Sequence, residues 1–257
     1  CVKNNISIYN TILMNEIDEF RNIKNTSNLR LAVIGHVEWM KFVSVNKLPI
    51  PGSISHAQKY IEEPAGGGAV AAIEMQRLIN NKVHFFTSLG KDELGKKCEN
   101  RLRKFGLKLN IAWRDKPTRQ GISLVDKNGE RAITVIGERL EPNLGDMLPW
   151  DEIEKFDGIF VTACDSQTLL FCRQAKVLSA TPRVGIDIIN KANIKLDLLI
   201  GSALDPGEKY DNNDLMNKPN LRILTMGEKG GFIYPGGSYE AVKTSSKKVD
   251  SYGCGDK

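Results

Sequence analysis

Gly158-Ile-Phe-Val-Thr162 opens the part of the sequence that decides the fold. From about residue 156, short apolar runs and helical patterns take turns at regular spacing. Thr168 to Ser179 reads as a helix and Val184-Gly-Ile-Asp-Ile188 as a strand. Leu196-Asp-Leu-Leu-Ile200, Leu221-Arg-Ile-Leu-Thr225 and Gly231-Phe-Ile-Tyr234 read as further strands. Strands alternating with helices predict a parallel sheet covered on both faces, because each crossover helix buries its apolar stripe on the sheet. Ligands of such sheets lie at the carboxyl ends of the strands. Asp187, Ser202, Asp205, Gly227 and the terminal Gly253-Cys-Gly-Asp256 all fall at expected strand ends.

Downstream, Val249-Asp-Ser-Tyr-Gly-Cys-Gly-Asp-Lys257 carries a glycine pair around a small residue and an aspartate directly after it. Gly253 and Gly255 leave the backbone bare enough for a charged ligand to come close. A helix beginning there would point unpaired amides and its positive end outward, a natural seat for a phosphate. Asp256 would stand at the mouth of that cradle, where a carboxylate can take a proton from an attacking hydroxyl. Taken alone the motif reads first as a strand-to-helix turn with an N-capping aspartate.

Upstream, Leu29-Arg-Leu-Ala-Val-Ile-Gly35 has the look of a buried parallel strand. His36 to Leu48 alternates in part and predicts an exposed antiparallel strand, turned by Pro49-Ile-Pro-Gly52. Ala65-Gly-Gly-Gly-Ala-Val-Ala-Ala passes from three glycines straight into a helical pattern ending at Leu78. Those glycines serve either close helix packing or close approach of a ligand. Lys82 to Leu89 is a second buried strand, and Gly90-Lys-Asp-Glu-Leu-Gly95 leads into a basic helix. Ile111 to Trp113, Gly121 to Val125 and Arg131 to Ile136 are short β runs, the last two joined as a hairpin at Asn128-Gly129. Residues 14–28 read as a short amphipathic helix and linker.

The chain of 257 residues suits one large α/β domain or two small ones, and its hydrophobic (41%) and charged (26%) shares are those of a soluble globular protein. No apolar run is long enough to span a bilayer, so no membrane partner is expected. The net charge of +5 is spread out. Its densest cluster, Lys96 to Lys108, is interrupted by glutamate and reads as a solvated helix face, so nucleic acid is not an expected partner. Five cysteines, an odd number without metal-pair spacing, predict free thiols in a reducing cytoplasm. Three histidines do not favour a histidine-built metal site. No Gly-x-Gly-x-x-Gly joins the first strand to a helix, which disfavours a dinucleotide-dependent oxidoreductase. Both ends look cut. The chain starts at Cys1, with Met14 a candidate true start, and stops one residue after Asp256; no secretory leader is expected, since Asn10 and Thr11 break the apolar residues near Ile6 to Leu13.

Several of these motifs, in one order, resemble the ribokinase-like (PfkB) carbohydrate and nucleoside kinases. Gly35-His-Val followed by Leu48-Pro-Ile-Pro-Gly52 looks like the family's opening strand and lid segment. Ala65-Gly-Gly-Gly-Ala-Val-Ala-Ala with Ser88-Leu-Gly-Lys-Asp-Glu-Leu-Gly95 is similar to its N-terminal signature. Thr225-Met-Gly-Glu-Lys-Gly230 resembles its nucleotide-holding strand and turn, and Val249 to Asp256 its C-terminal signature. The resemblance implies a three-layer α/β domain over 29–257, with a central, mainly parallel sheet and a small β lid from about 37–62 and 111–136, after an N-terminal extension over 1–28. It implies an ATP-dependent kinase with magnesium and a monovalent cation such as potassium. In that reading Asp256 is the base, and the amides of Gly253, Cys254 and Gly255 form the anion hole. Thr225, Gly227 and Gly230 line the nucleotide. Asp250 serves the monovalent cation, and Ser202-Ala-Leu-Asp205 stands where the family has Asn-x-x-Glu, giving Asp205 a shorter arm toward metal and phosphate.

The acceptor side departs from the pattern. Met40 stands where sugar kinases carry an aspartate and Val70 where they carry an asparagine, and neither side chain can hydrogen-bond a hydroxyl. Glu38, Gly66, Gly67 and Arg139 remain to line the pocket, with Arg139 either holding an anionic group or serving as an ordinary surface arginine. The expected function is phosphorylation of a hydroxyl on a small carbohydrate-like molecule; the alternative is a non-catalytic metabolite sensor of the same fold. The family's tail beyond the C-terminal signature completes the adenine pocket, so little activity is expected of a chain ending at Lys257. A homodimer through the lid is also expected.

Overall fold

The computed structural model describes residues 28–241. The helix expected over 14–28 falls almost wholly outside that range, as do Asp250, Gly253, Cys254, Gly255 and Asp256.

Two sheets organise the described residues. The larger has nine strands in the order β13-β12-β11-β10-β9-β8-β1-β4-β5. At its centre β1 (Leu31–Ile34) lies parallel to β4 (His84–Gly90) and β8 (Gly158–Val161). β5 (Lys108–Arg114) continues the parallel pairing on one side, and β9 (Val177–Ala180), β10 (Leu198–Ser202) and β11 (Leu221–Thr225) on the other. β12 (Gly231–Tyr234) and β13 (Gly237–Tyr239) close the edge in antiparallel fashion. The smaller sheet, of four strands, runs β3 (Lys59–Ala65), β2 (Glu38–Ser44), β6 (Gln120–Val125) and β7 (Arg131–Ile136).

Period-two alternation sends neighbouring side chains to opposite faces of the large sheet. Val33 and Phe85 pack in one core with Ala69, Ala72 and Ile73 of α1 (Gly67–Leu78) and Cys98 and Leu102 of α2 (Glu93–Lys104). Ala32, Ile34 and Phe86 pack in the other with Leu169 and Cys172 of α3 (Ser166–Cys172) and Ile189 of α4 (Ile186–Ala192). Every residue of β4 is buried, which is why it lacks the alternation of a half-exposed strand. Burial of Phe85 or Phe86 contributes about 1.5–3 kcal/mol each. Cys98, Cys164 and Cys172 are unpaired and buried, and burial pushes the Cys98 and Cys172 thiols up to about 12. No helix among the described residues is long and apolar enough to cross a membrane.

Several expectations are corrected. Val184 to Ile188 is no strand: Pro182–Val184 is a 3-10 turn and Ile186 starts α4. Thr181 caps that turn through its side chain, Pro182 has no amide for a ladder, and Gly185 sits at φ 110°, outside strand geometry. The strand lies earlier, at Val177–Ala180, in residues expected to end the preceding helix. There Leu178 and Ala180 plug the core while α3 stops at Cys172. Asp187 consequently sits in a helix's first turn, not at a strand tip. Ile111 to Trp113 belongs to the large sheet, as part of β5 paired to β4, and not to the lid. Finally, the first lid strand is β2 over Glu38–Ser44, with Glu38, Trp39 and Met40 buried; it runs antiparallel to β3 but parallel to β6, and residues 54–58 precede β3 without strand structure.

Candidate active site

The strand tips gather the polar residues. β1 ends in Gly35-His36, β8 in Thr162, β10 at Ser202 and β11 at Thr225, all on the carboxyl edge of the parallel strands. The glycine run sets α1 onto this edge. A Cβ on Gly68 would lie 2.8 Å from the Gly35 carbonyl carbon and 2.8 Å from the His36 carbonyl oxygen, so only glycine lets α1 reach the β1 tip. Gly66, at φ 89°, turns the chain from β3 into α1, and a Cβ there would lie 2.9 Å from His36 Nε2. Of the two readings left open for these glycines, packing is what Gly68 does. The N-terminus of α1 has no side-chain cap and no acidic residue in its first turn.

The Ser88 to Gly95 motif also has a local physical meaning. Asp92 caps α2, accepting from the Gly95 amide at 2.7 Å. It also accepts from the amide and hydroxyl of Thr118, both at 2.7 Å. Burial works against this carboxylate, but the amides of Gly95 and Thr118 and the Thr118 hydroxyl hold it below the usual range. The Thr118 hydroxyl in turn accepts from Gly90 N at 3.0 Å. Pinning Thr118 fixes the next residue, Arg119, whose Nε pairs with Glu38 at 3.1 Å and whose carbonyl accepts from Trp39 N at 2.9 Å.

Three arginines approach the β1 tip from three connections: Arg119 before β6, Arg139 after β7 and Arg183 after β9. Arg139 Nε pairs with Glu141 at 2.5 Å, and its Nη1 donates to the Arg183 carbonyl at 3.3 Å. Arg183 pairs with Glu208 at 2.8 Å and with Asp205. Burial first, then the charges of Arg139, Arg119 and Arg183, bring the His36 imidazole down from 6.5 to about 3, so the ring is neutral at pH 7.

The sequence-derived residues divide accordingly. Glu38, Gly66, Gly67 and Arg139 lie around the β1 tip. Arg139 pairs with Glu141 and donates to the Arg183 carbonyl. Met40 has no exposed surface and its sulfur fills the space over Gly121, so no ligand touches it in this conformation. Val70 is half-buried on α1. Ser202 ends β10, its hydroxyl accepting from the amides of Leu204 and Asp205. Asp205 accepts from Gly207 N at 2.8 Å and is engaged by Arg183. Thr225 ends β11, and Gly227 and Gly230 shape the turn into β12, where Gly230, at φ 78°, leaves room for Tyr239 O. A cleft of ≈ 320 Å³ opens beside Ser202, Glu208, Tyr210, Arg222 and Leu224; Thr225, Gly227 and Gly230 are not among its lining residues. Among the described residues no group of three or more His, Cys, Asp or Glu side chains could hold a metal ion. Sequence reading missed His36, Arg119, Thr162 and Arg183. The signal was positional: His36 and Thr162 directly follow buried strands, and Arg183 follows a proline just past another.

A nine-stranded, mainly parallel sheet sandwiched by helices and carrying a second small sheet is the ribokinase-like architecture. Solved structures with it include the ribokinase of Giardia lamblia (TM-score 0.71, 18% identity, 89% of this chain and 80% of that one). The ribokinase of Cryptococcus neoformans in complex with ADP matches with TM-score 0.63 and 18% identity over 89% and 84%. The adenosine kinase of Sinorhizobium meliloti matches with TM-score 0.69 and 14% identity over 90% and 85%. Residues 28–178, more than half of the chain, match the pfkB family carbohydrate kinase model, and the chain belongs to that family. No curated protein matches the sequence.

Proposed function

We propose that this protein is an ATP-dependent phosphotransferase that phosphorylates a hydroxyl of a small carbohydrate-like molecule. The observation that carries the reading is membership of the carbohydrate kinase family over residues 28–178. The likeness to a ribokinase solved with ADP supports ATP as donor. In this reading residues 29–257 form the kinase domain. The Asp256 carboxylate takes the proton of the acceptor hydroxyl, while the amides of Gly253, Cys254 and Gly255 stabilise charge on the transferring group. Thr225, Gly227, Gly230 and Ser202 face the nucleotide. Magnesium would neutralise phosphate charge, and Asp205 would join it only by giving up its pairing with Arg183. Asp250 would hold a monovalent cation such as K+. The working compartment is the cytoplasm, consistent with three buried, unpaired cysteines.

The four-stranded sheet acts as the lid over the acceptor. Its outer strand β7 is exposed along its whole length, leaving Ile133, Val135 and Ile136 in solvent. An apolar edge of this kind supports a homodimer through the lid. Sedimentation of the wild type against Val135→Lys tests it, and a monomeric wild type removes it. A metabolite sensor is the second reading, favoured by the enclosed Met40. A metabolite panel scored for ATP consumption by the full-length protein separates the two: a kinase releases ADP with at least one hydroxylated acceptor, a sensor with none.

A further inference from the structure

Two buried polar atoms at adjacent strand tips, Nδ1 of His36 and Oγ1 of Thr162, have no hydrogen-bond partner among the described residues. Unpaired buried polar atoms are costly, and where two converge on a strand-tip edge they mark a place for ligand atoms. Gly35, the residue before His36, packs directly on Thr162: a Cβ there would meet Thr162 Oγ1 at 2.0 Å. The start of α1 lies against His36, since a Cβ on Gly66 would come within 2.9 Å of His36 Nε2. Around this point stand Arg119, Arg139 and Arg183. Each is held at its Nε edge by a carboxylate: Glu38, Glu141 and Glu208 respectively, with Asp205 a second partner of Arg183. Among the described residues the Nη groups of Arg119 and Nη2 of Arg139 make no hydrogen bond, and Arg119 Nε, 3.1 Å from Glu38, is buried without one as well. Planar guanidinium forks held in this way match carboxylates and phosphates, two N–H groups to two oxygens.

We propose that the acceptor of this kinase is anionic, a polyol bearing a carboxylate or a phosphate ester, gripped by Arg119 and Arg139, with His36 and Thr162 hydrogen-bonding its hydroxyls. The inference rests on the kinase reading and names its substrate class. It also accounts for Met40 and Val70, since a substrate anchored by charge does not need the two hydroxyl-binding side chains missing there. The neutral ring of His36 fits this role: it offers one acceptor and one donor nitrogen, and it adds no charge of its own to the pocket.

Calorimetry of the full-length protein with matched pairs tests it: sorbitol against gluconate, and fructose against fructose 6-phosphate. The anionic member of at least one pair binds roughly ten- to a hundred-fold tighter than its neutral twin. Gluconate alone being preferred identifies a carboxylate, and fructose 6-phosphate alone a phosphate ester. Arg139→Gln and Arg119→Gln each lower the preference about ten-fold. Equal binding within both pairs overturns the inference. So does a preference that survives both substitutions, and so does binding of none of the four up to about 10 mM. The wild-type comparison needs no variant to fold. ADP release, measured separately, keeps the two readings apart. Turnover of neutral acceptors alone upholds the kinase and removes the anionic acceptor; tight, arginine-dependent binding of gluconate or fructose 6-phosphate without ADP release upholds an anion-binding site and removes the kinase.

Discussion

Replacing Gly68 by alanine probes the joint on which the site is built. The new Cβ would lie 2.8 Å from the Gly35 carbonyl carbon, 2.8 Å from the His36 oxygen and 2.9 Å from the Gly35 Cα. All three are backbone atoms of the β1 tip, so none can swing aside as a side chain would. Helix propensity pulls the other way, since alanine gains up to ~1 kcal/mol over glycine inside a helix. Overfilling a packed joint costs ~1–3 kcal/mol, and with rigid backbone on the far side the upper half of that range applies. The net loss is about 1–2 kcal/mol, or a fall in Tm of roughly 2–8 °C for a chain of this size. Thermal and urea unfolding followed by circular dichroism read it directly. Gly237→Ala is the control, because a Cβ there meets nothing within 4 Å; it is expected to be neutral or to stabilise by up to ~1 kcal/mol. A Gly68→Ala protein that melts with or above the wild type refutes the steric reasoning.

Asp92→Ala removes a helix cap and strands the amide and hydroxyl of Thr118; urea unfolding should register a loss of about 2–4 kcal/mol, and a loss below ~0.5 kcal/mol contradicts it. Asp146 binds Arg114 Nη2 at 2.7 Å and the Asn143 amide at 2.8 Å with little exposure, so Asp146→Ala should cost about 3–5 kcal/mol in the same assay. His84, brought down to about 4 by burial and by Lys108, and His36, at about 3, are both depressed from 6.5. Their unfolded forms take up protons first, so stability is full above pH 6.5 and is lost as pH falls toward 4 and then 3. Imidazole NMR titration checks this, and a midpoint near 6 for either ring contradicts it.

What was legible in the sequence follows from how local each signal is. β1 and β4 are buried along nearly their whole length, and the apolar run of β1 and the Phe85-Phe86 pair of β4 announce them. The hairpin at Asn128-Gly129 is equally local. Val184 to Ile188 misleads because α4 has seven residues, too few for a helical period to separate from an apolar strand. β5 alternates buried Asn110 and Ala112 with more exposed neighbours, and nothing in that pattern says which sheet it joins. At the site, Glu38, Gly66 and Arg139 are readable through motif order. Arg119 and Arg183 are brought to His36 only by the crossover topology, and that is invisible until the strand order is known.

The central claim is that a family carboxylate moves a proton during phosphoryl transfer from ATP. Steady-state ADP release by full-length wild type and Asp256→Asn, with ATP affinity measured in parallel, tests it most directly. Turnover should fall by about 10²–10⁴-fold while ATP binding stays within a few-fold. A variant that turns over like the wild type contradicts the claim, as does a wild type that binds acceptor and ATP yet releases no ADP.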